Sequence, residues 1–364
     1  MSTRIEIPEA NLQNISIFST EPSDELIEEI KQHVRLTSSP HTWRGHSHTK
    51  PDKGAFVVYV EEFDVPAPDS VPRVAPCPCC NPHHPQYKNK GKIAWFPHES
   101  VIRLIGPQCF AAINSGGHDA AIIDLRKRQK RRDEVATIAL HAPGIDGLIA
   151  AIDEALPIAE DLDNFMREIN RVIENELRLQ FWREVKDGNL TTSETRRVPF
   201  QKADGTGGER EEEFRVPFAQ IVGHTMIDRS GQISANKLKL IRSGLGVFVA
   251  RLREAIVPDA LGDAEREKIA DAFPKGRAAV IELLAEMADR QRFLTSGAIE
   301  TLRRWGQHQN APIRFSIERK KSEVILSAPD RSRITLAVHS VPIGDSATKS
   351  IPEVPEIRTV FPQS

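Results

Sequence analysis

The sequence predicts an α+β fold in which helix dominates: a small cysteine-bearing module with a β-hairpin, then a long helical region, then a C-terminal β-hairpin. Three observations predict it. Apolar runs at 91–96 and 100–105 flank the short polar link Pro97-His98-Glu99, as the arms of a hairpin do. Ile145, Leu148, Ile152, Ala155, Ala159, Leu162, Met166, Ile169 and Ile173 recur at alternating steps of three and four, the spacing of a helical seam. Two further apolar runs, 312–318 and 323–339, have Pro329-Asp330 at a turn near the C-terminus.

Bulk composition agrees with a folded chain. Of 364 residues, 39% are hydrophobic and 27% charged, and aromatics are few at 6%, so the cores must be mainly aliphatic. A formal net charge of −2 excludes a whole-molecule attraction to nucleic acid or anionic membrane and leaves only local patches. No stretch reads as the roughly 18 apolar residues of a bilayer span, and Met1-Ser2-Thr3-Arg4 opens without the apolar run of a secretory signal. Four cysteines, three of them at 77, 79 and 80, are placed for metal rather than for stapling distant segments, which fits a reducing cytoplasm.

Residues 1–54 read as a partly ordered segment. Pro22-Ser23-Asp24-Glu25 starts a helix with Leu26, Ile27, Ile30 and Val34 on one face, and the loop from His41 to Gly54 follows. Residues 55–140 form the cysteine module, opening with a strand at 55–62 and a proline-rich connector, Pro66 to Pro76. Its later part, Asp119 to Leu140, is helical and holds Arg126, Lys127, Arg128, Lys130, Arg131 and Arg132. Residues 141–190 are a long coiled-coil-like helical segment that Pro157 should break or kink. Residues 191–233 read as a polar hairpin or flap: Arg197-Val198-Pro199-Phe200 and Arg215-Val216-Pro217-Phe218 repeat on either side of a glycine-rich stretch. Residues 234–341 are a helical domain ending in strands. Ser234 caps a helix to about Val257, and shorter helices follow at 263–272, 276–293 and 296–306. Residues 342–364, rich in Pro, Ser and Thr, read as a disordered tail.

The chemistry concentrates at Cys77-Pro78-Cys79-Cys80-Asn81. Two thiolates three apart in a tight turn suit a zinc knuckle; Pro78 fixes one backbone angle and Asn81 tolerates positive φ after the second ligand. The hairpin follows, and then Gly106-Pro107-Gln108-Cys109 places a third thiol at an expected helix N-terminus, where backbone amides favour its charge. Knuckle, hairpin and ligand-bearing helix in this order, over about residues 74–120, resemble the treble-clef zinc fold. The usual second helix ligand is Ala112 here, so the fourth donor lies elsewhere. His118, after the flexible Asn114-Ser115-Gly116-Gly117, is the choice, with His83, His84 and Cys79 as competitors. Zinc held by Cys77, Cys80, Cys109 and His118 would be a closed, structural site.

The functional expectation is therefore a zinc-stabilised binding or regulatory protein. The basic run 126–132 is its candidate contact with nucleic acid, and 145–185 its candidate surface for homo-oligomers. The first alternative is a metal-dependent nuclease or hydrolase using His98 and His118 or the loop with His41, His46 and His48. The second is a purely structural, oligomerising protein. Against an enzyme, the chain has no nucleophile-elbow, phosphate-loop, dinucleotide-binding or zincin motif, and no small-molecule substrate can be identified.

Overall fold

A computed structural model describes residues 15–66, 77–79, 90–201, 205, 207–229, 234–329 and 336–357. The chain is a mixed α and β protein, 53% helical, so helix dominates as expected. It divides into two compact units, 1–133 and 134–364, each with its own apolar core.

In the first unit, helix α1 (Asp24–Thr37) is capped by the Ser23 hydroxyl, which accepts from the Leu26 amide, and it buries Ile27, Ile30 and Val34. Strands β1 (Val58–Asp64), β2 (Lys90–Phe96) and β3 (Val101–Ile105) form an antiparallel sheet in that order. The β2–β3 hairpin pairs Phe96 with Val101 and Lys92 with Ile105. Every residue of β3 is buried. Much of the segment before residue 54 is therefore packed structure: Trp43 is buried, and Ser47 donates its amide to the Ile102 carbonyl at 2.8 Å. Cys109 opens only a single 3₁₀ turn, Cys109–Ala112, and the next α-helix begins at Ser115. The expected placement of Cys109 at an α-helix N-terminus is thus corrected.

Helix α2 (Ser115–Glu176) is one continuous element of 62 residues, with Pro143 and Pro157 inside it. The expected break at Pro157 does not occur. A proline deletes one amide and crowds one turn, and here the apolar stripe on either side, Ile152, Ala155, Ile158, Ala159 and Leu162, is held in the second unit's core. The seam residues from Ile145 to Ile173 are all buried there, so the seam is occupied within the chain. The same helix contains an 18-residue stretch apolar enough by composition to cross a bilayer, which corrects the reading that none exists. Only 28% of that stretch is buried. Core-facing positions of this helix include Ile138, Ile145, Leu148 and Ile152.

Helix α3 (Arg178–Glu184) leads into a long antiparallel ribbon of β4 (Asn189–Gln201) and β5 (Gly207–Gln220). The expected hairpin is present, but its two repeats do not face each other. Phe200 opposes Gly208 near the tip, whereas Val216 opposes Thr192 near the base. Helices α4 (Ser234–Ala255), α5 (Asp263–Phe293) and α6 (Ser296–Gln307) follow. Helix α5 runs through Pro274 without the division expected near 272–276. Ile256, inside the helix expected to reach about Val257, lies beyond α4 with φ of 64° and is 88% exposed. Gly223, with φ of 74°, lets its loop sit on α5; a Cβ there would lie 2.3 Å from the Phe293 amide nitrogen.

The C-terminal sheet has three strands, β6 (Ser316–Arg319), β7 (Glu323–Pro329) and β8 (Leu336–Pro342), one more than the hairpin expected. The segment after Pro342 is not a loose tail through residue 357. Ala347 is fully buried, Gln291 donates to the Ala347 and Lys349 carbonyls at 2.9 and 2.7 Å, and the Ser346 amide donates to Asp161 at 2.8 Å.

Candidate metal centre

Three thiols are described in the first unit, those of Cys77, Cys79 and Cys109. Cys77 and Cys79 are buried, and Cys109 is partly so. Cys77 is hydrogen-bonded to Cys109 and to Cys79, and these contacts hold its thiol well below the ordinary value. The Gly106 amide, from the turn after β3, donates to Cys77 Sγ at 3.4 Å. An amide aimed at a sulfur is the support that knuckle thiolates take in metal sites.

Tyr59 and His118 adjoin this cluster. Tyr59, on β1, is fully buried. Burial raises its phenol, and so do the negative charges of Cys79, Cys109 and Cys77, which places it within electrostatic reach of all three. Its hydroxyl shares a 2.6 Å hydrogen bond with His118 Nδ1, and the two rings meet edge to face. His118 rides on the first turn of α2, where its amide donates to the Asn114 carbonyl at 3.0 Å and Asn114 Oδ1 receives the Gly117 amide at 2.9 Å. Burial lowers the His118 imidazole, and the Lys92 cation lowers it further. Lys92 is itself 4% exposed; it donates to the Pro107 carbonyl at 3.0 Å and pairs with Glu62 at 3.2 Å.

Among the described residues no group of three or more His, Cys, Asp or Glu side chains is arranged to hold a metal ion. Cys80, His83 and His84 lie outside the described residues. Cys79, named as a competitor for the fourth place, is hydrogen-bonded to Cys77 together with Cys109. Sequence reading missed Tyr59 and Lys92. The one signal for Lys92 was a lysine inside an apolar strand run, which is rarely buried without a partner.

The other predicted residues have separate surroundings. His98 lies in the β2–β3 turn, its ring 6.2 Å from Phe56. The loop of His41, His46 and His48 is not the exposed polar loop its composition indicates. His46 is buried, its Nδ1 accepts from the Leu104 amide at 3.0 Å, and its ring meets His48 at 4.5 Å. Of the basic run, Arg128 binds Glu21 at 2.6 Å and Asp124 at 3.0 Å, and Arg132 binds Glu61 at 2.7 Å. Lys130 and Arg131 have partners as well, while Arg126 and Lys127 are exposed.

No protein-family model, no curated protein and no solved structure matches this chain.

Proposed function

We propose that this chain is a zinc-stabilised binding protein whose first unit is closed by a cysteine-held metal. One observation carries the reading: Cys77, Cys79 and Cys109, from a turn and from the far end of a β-hairpin, converge with a backbone amide on Cys77 Sγ. Soft thiolates in this arrangement select zinc among the common divalent ions. Cys80 is the further thiol of the knuckle. His118, with Nδ1 engaged by Tyr59, would offer Nε2, as metal-bound imidazoles do when the other nitrogen is fixed by a partner. Such a site supplies folding free energy rather than turnover.

No specific observation favours the hydrolase alternative: His98 has the Phe56 ring nearby at 6.2 Å, and His118 and His46 each have one ring nitrogen bound, by Tyr59 and by the Leu104 amide. The basic run is left out of the binding reading because Arg128 and Arg132 are bound to carboxylates of the same unit.

Elemental mass spectrometry of protein made in metal-replete, reducing medium tests this. The expected result is about one zinc per chain, lost in Cys77→Ser and Cys109→Ser, with a lower melting temperature for the first unit. Protein free of zinc, or retention of zinc in both variants, would overturn it.

A further inference from the structure

The second unit contains a polar cleft of about 620 Å³ between α3, the base of the β4–β5 ribbon and the turn at 310–312. That is the volume range of small-ligand sites. Its walls are tied together: the Ser193 amide donates to the Asn310 carbonyl at 3.1 Å, and Gln180 donates to the Pro312 carbonyl at 3.1 Å. Glu184, the last residue of α3, lines it with a side chain only 8% exposed. One carboxylate oxygen, Oε1, receives the Arg215 guanidinium at 2.9 Å. The other, Oε2, is buried without a hydrogen-bond partner.

Leaving one oxygen of a buried carboxylate unsatisfied is costly. Arg215 is a poor permanent answer, since its own side chain is 64% exposed and meets Glu184 through a single oxygen. Glu213 adds a second carboxylate to the cleft. With Arg215 swung out to solvent, the cleft would present two carboxylates and no cation, along with the hydroxyls of Ser193 and Thr195. A planar, two-pronged cationic donor matches both oxygens of Glu184 at once, which an ammonium does not.

We propose that this cleft binds a guanidinium-bearing ligand, with Glu184 as its bidentate anchor and Arg215 as the resident side chain it displaces. The site is independent of the zinc reading, since every residue in it belongs to the second unit.

Isothermal titration of the full chain at low salt with L-argininamide, L-lysinamide and uncharged L-citrullinamide tests it. The expected order is argininamide, then lysinamide, with citrullinamide at least about tenfold weaker. Glu184→Gln should weaken argininamide about tenfold or more. Arg215→Ala should strengthen it several-fold, because the competitor is gone. Should Glu184→Gln fail to fold, the Arg215→Ala gain and a several-fold loss in Glu213→Gln carry the test. The tripeptide Gly-Arg-Gly decides the source: binding as tight as argininamide points to an arginine side chain of a peptide, and weaker binding to a free small molecule. No saturable binding by about 10 mM, equal affinity for argininamide and citrullinamide, or an Arg215→Ala variant that binds no better would overturn the proposal.

Discussion

Asp163 shows how much one side chain can carry. It is 2% exposed on α2 and accepts from the Ser234 and Ala235 amides at 3.2 and 2.8 Å, so it caps α4 from another helix. Arg290 of α5, fully buried, donates to it at 3.0 Å and also reaches the Ser234 hydroxyl and Glu286. Three helices thus meet on one carboxylate. Removing it takes one of two carboxylates from a buried guanidinium and leaves two helix-start amides uncapped, and breaking a buried pair costs about 3–5 kcal/mol in comparable cases. Asp163→Ala should lower the stability of the second unit by about that amount in urea denaturation, and a loss below about 1 kcal/mol would show that Glu286 and Ser234 suffice for Arg290. None of this was legible beforehand. Asp163 reads as one acid among several on a helix, and only the fold brings Ser234 and Arg290 to it.

Among elements, the strongly periodic ones were readable and the joints between them were not. The faces of α1 and α2 follow from apolar spacing, and the β2–β3 hairpin from two runs around a short link. The prolines misled because local propensity argues for a break, while the buried stripe around Pro157 and Phe273 beside Pro274 keep the helices whole. The histidine segment misled for the opposite reason: its polar residues look solvated, yet it lies along β3. Burial there has a pH consequence. His41 is lowered from 6.5 to about 4, chiefly by burial and then by His48. His46 is lowered well below 6.5, again chiefly by burial, and His48 is lowered too. The unfolded chain therefore takes up protons below pH 6.5 that the folded unit refuses, so stability is full above 6.5 and falls on acidification toward about 4. Melting of the first unit from pH 7 to 4 should show this decline, and His41→Gln should make it shallower. An unchanged slope in the variant would assign the decline to other groups. For the candidate site, the approach of Cys77 and Cys109 was legible from their spacing around the hairpin, whereas the part taken by Cys79, a competitor only, was not. The Tyr59–His118 contact was not, because the two residues are 59 positions apart in the chain.

At the scale of the whole molecule, two separate cores imply two transitions on heating rather than one. Truncation after Pro342 separates them cleanly. It removes Ile343, Ser346 and Ala347, and with them the contacts to Asp161 and Gln291. Calorimetry of the truncated chain should show the second unit's transition lowered and the first unit's unmoved; a shift of both together would mean that the units unfold as one. The low-complexity composition of this segment hid its role, because what orders it is a set of backbone hydrogen bonds to side chains made much earlier in the chain.

That strap also sets an order of assembly during synthesis. Translation adds roughly 5–20 residues per second, and domains tend to close in the order in which they emerge. The first unit has all of its parts once α2 has begun to leave the ribosome. The second stays incompletely covered until residues 343–349 have followed, so Asp161 waits for its partner through 185 residues of further chain. Over that interval the nascent protein displays an unfinished apolar wall, which is the kind of surface that a chaperone would hold.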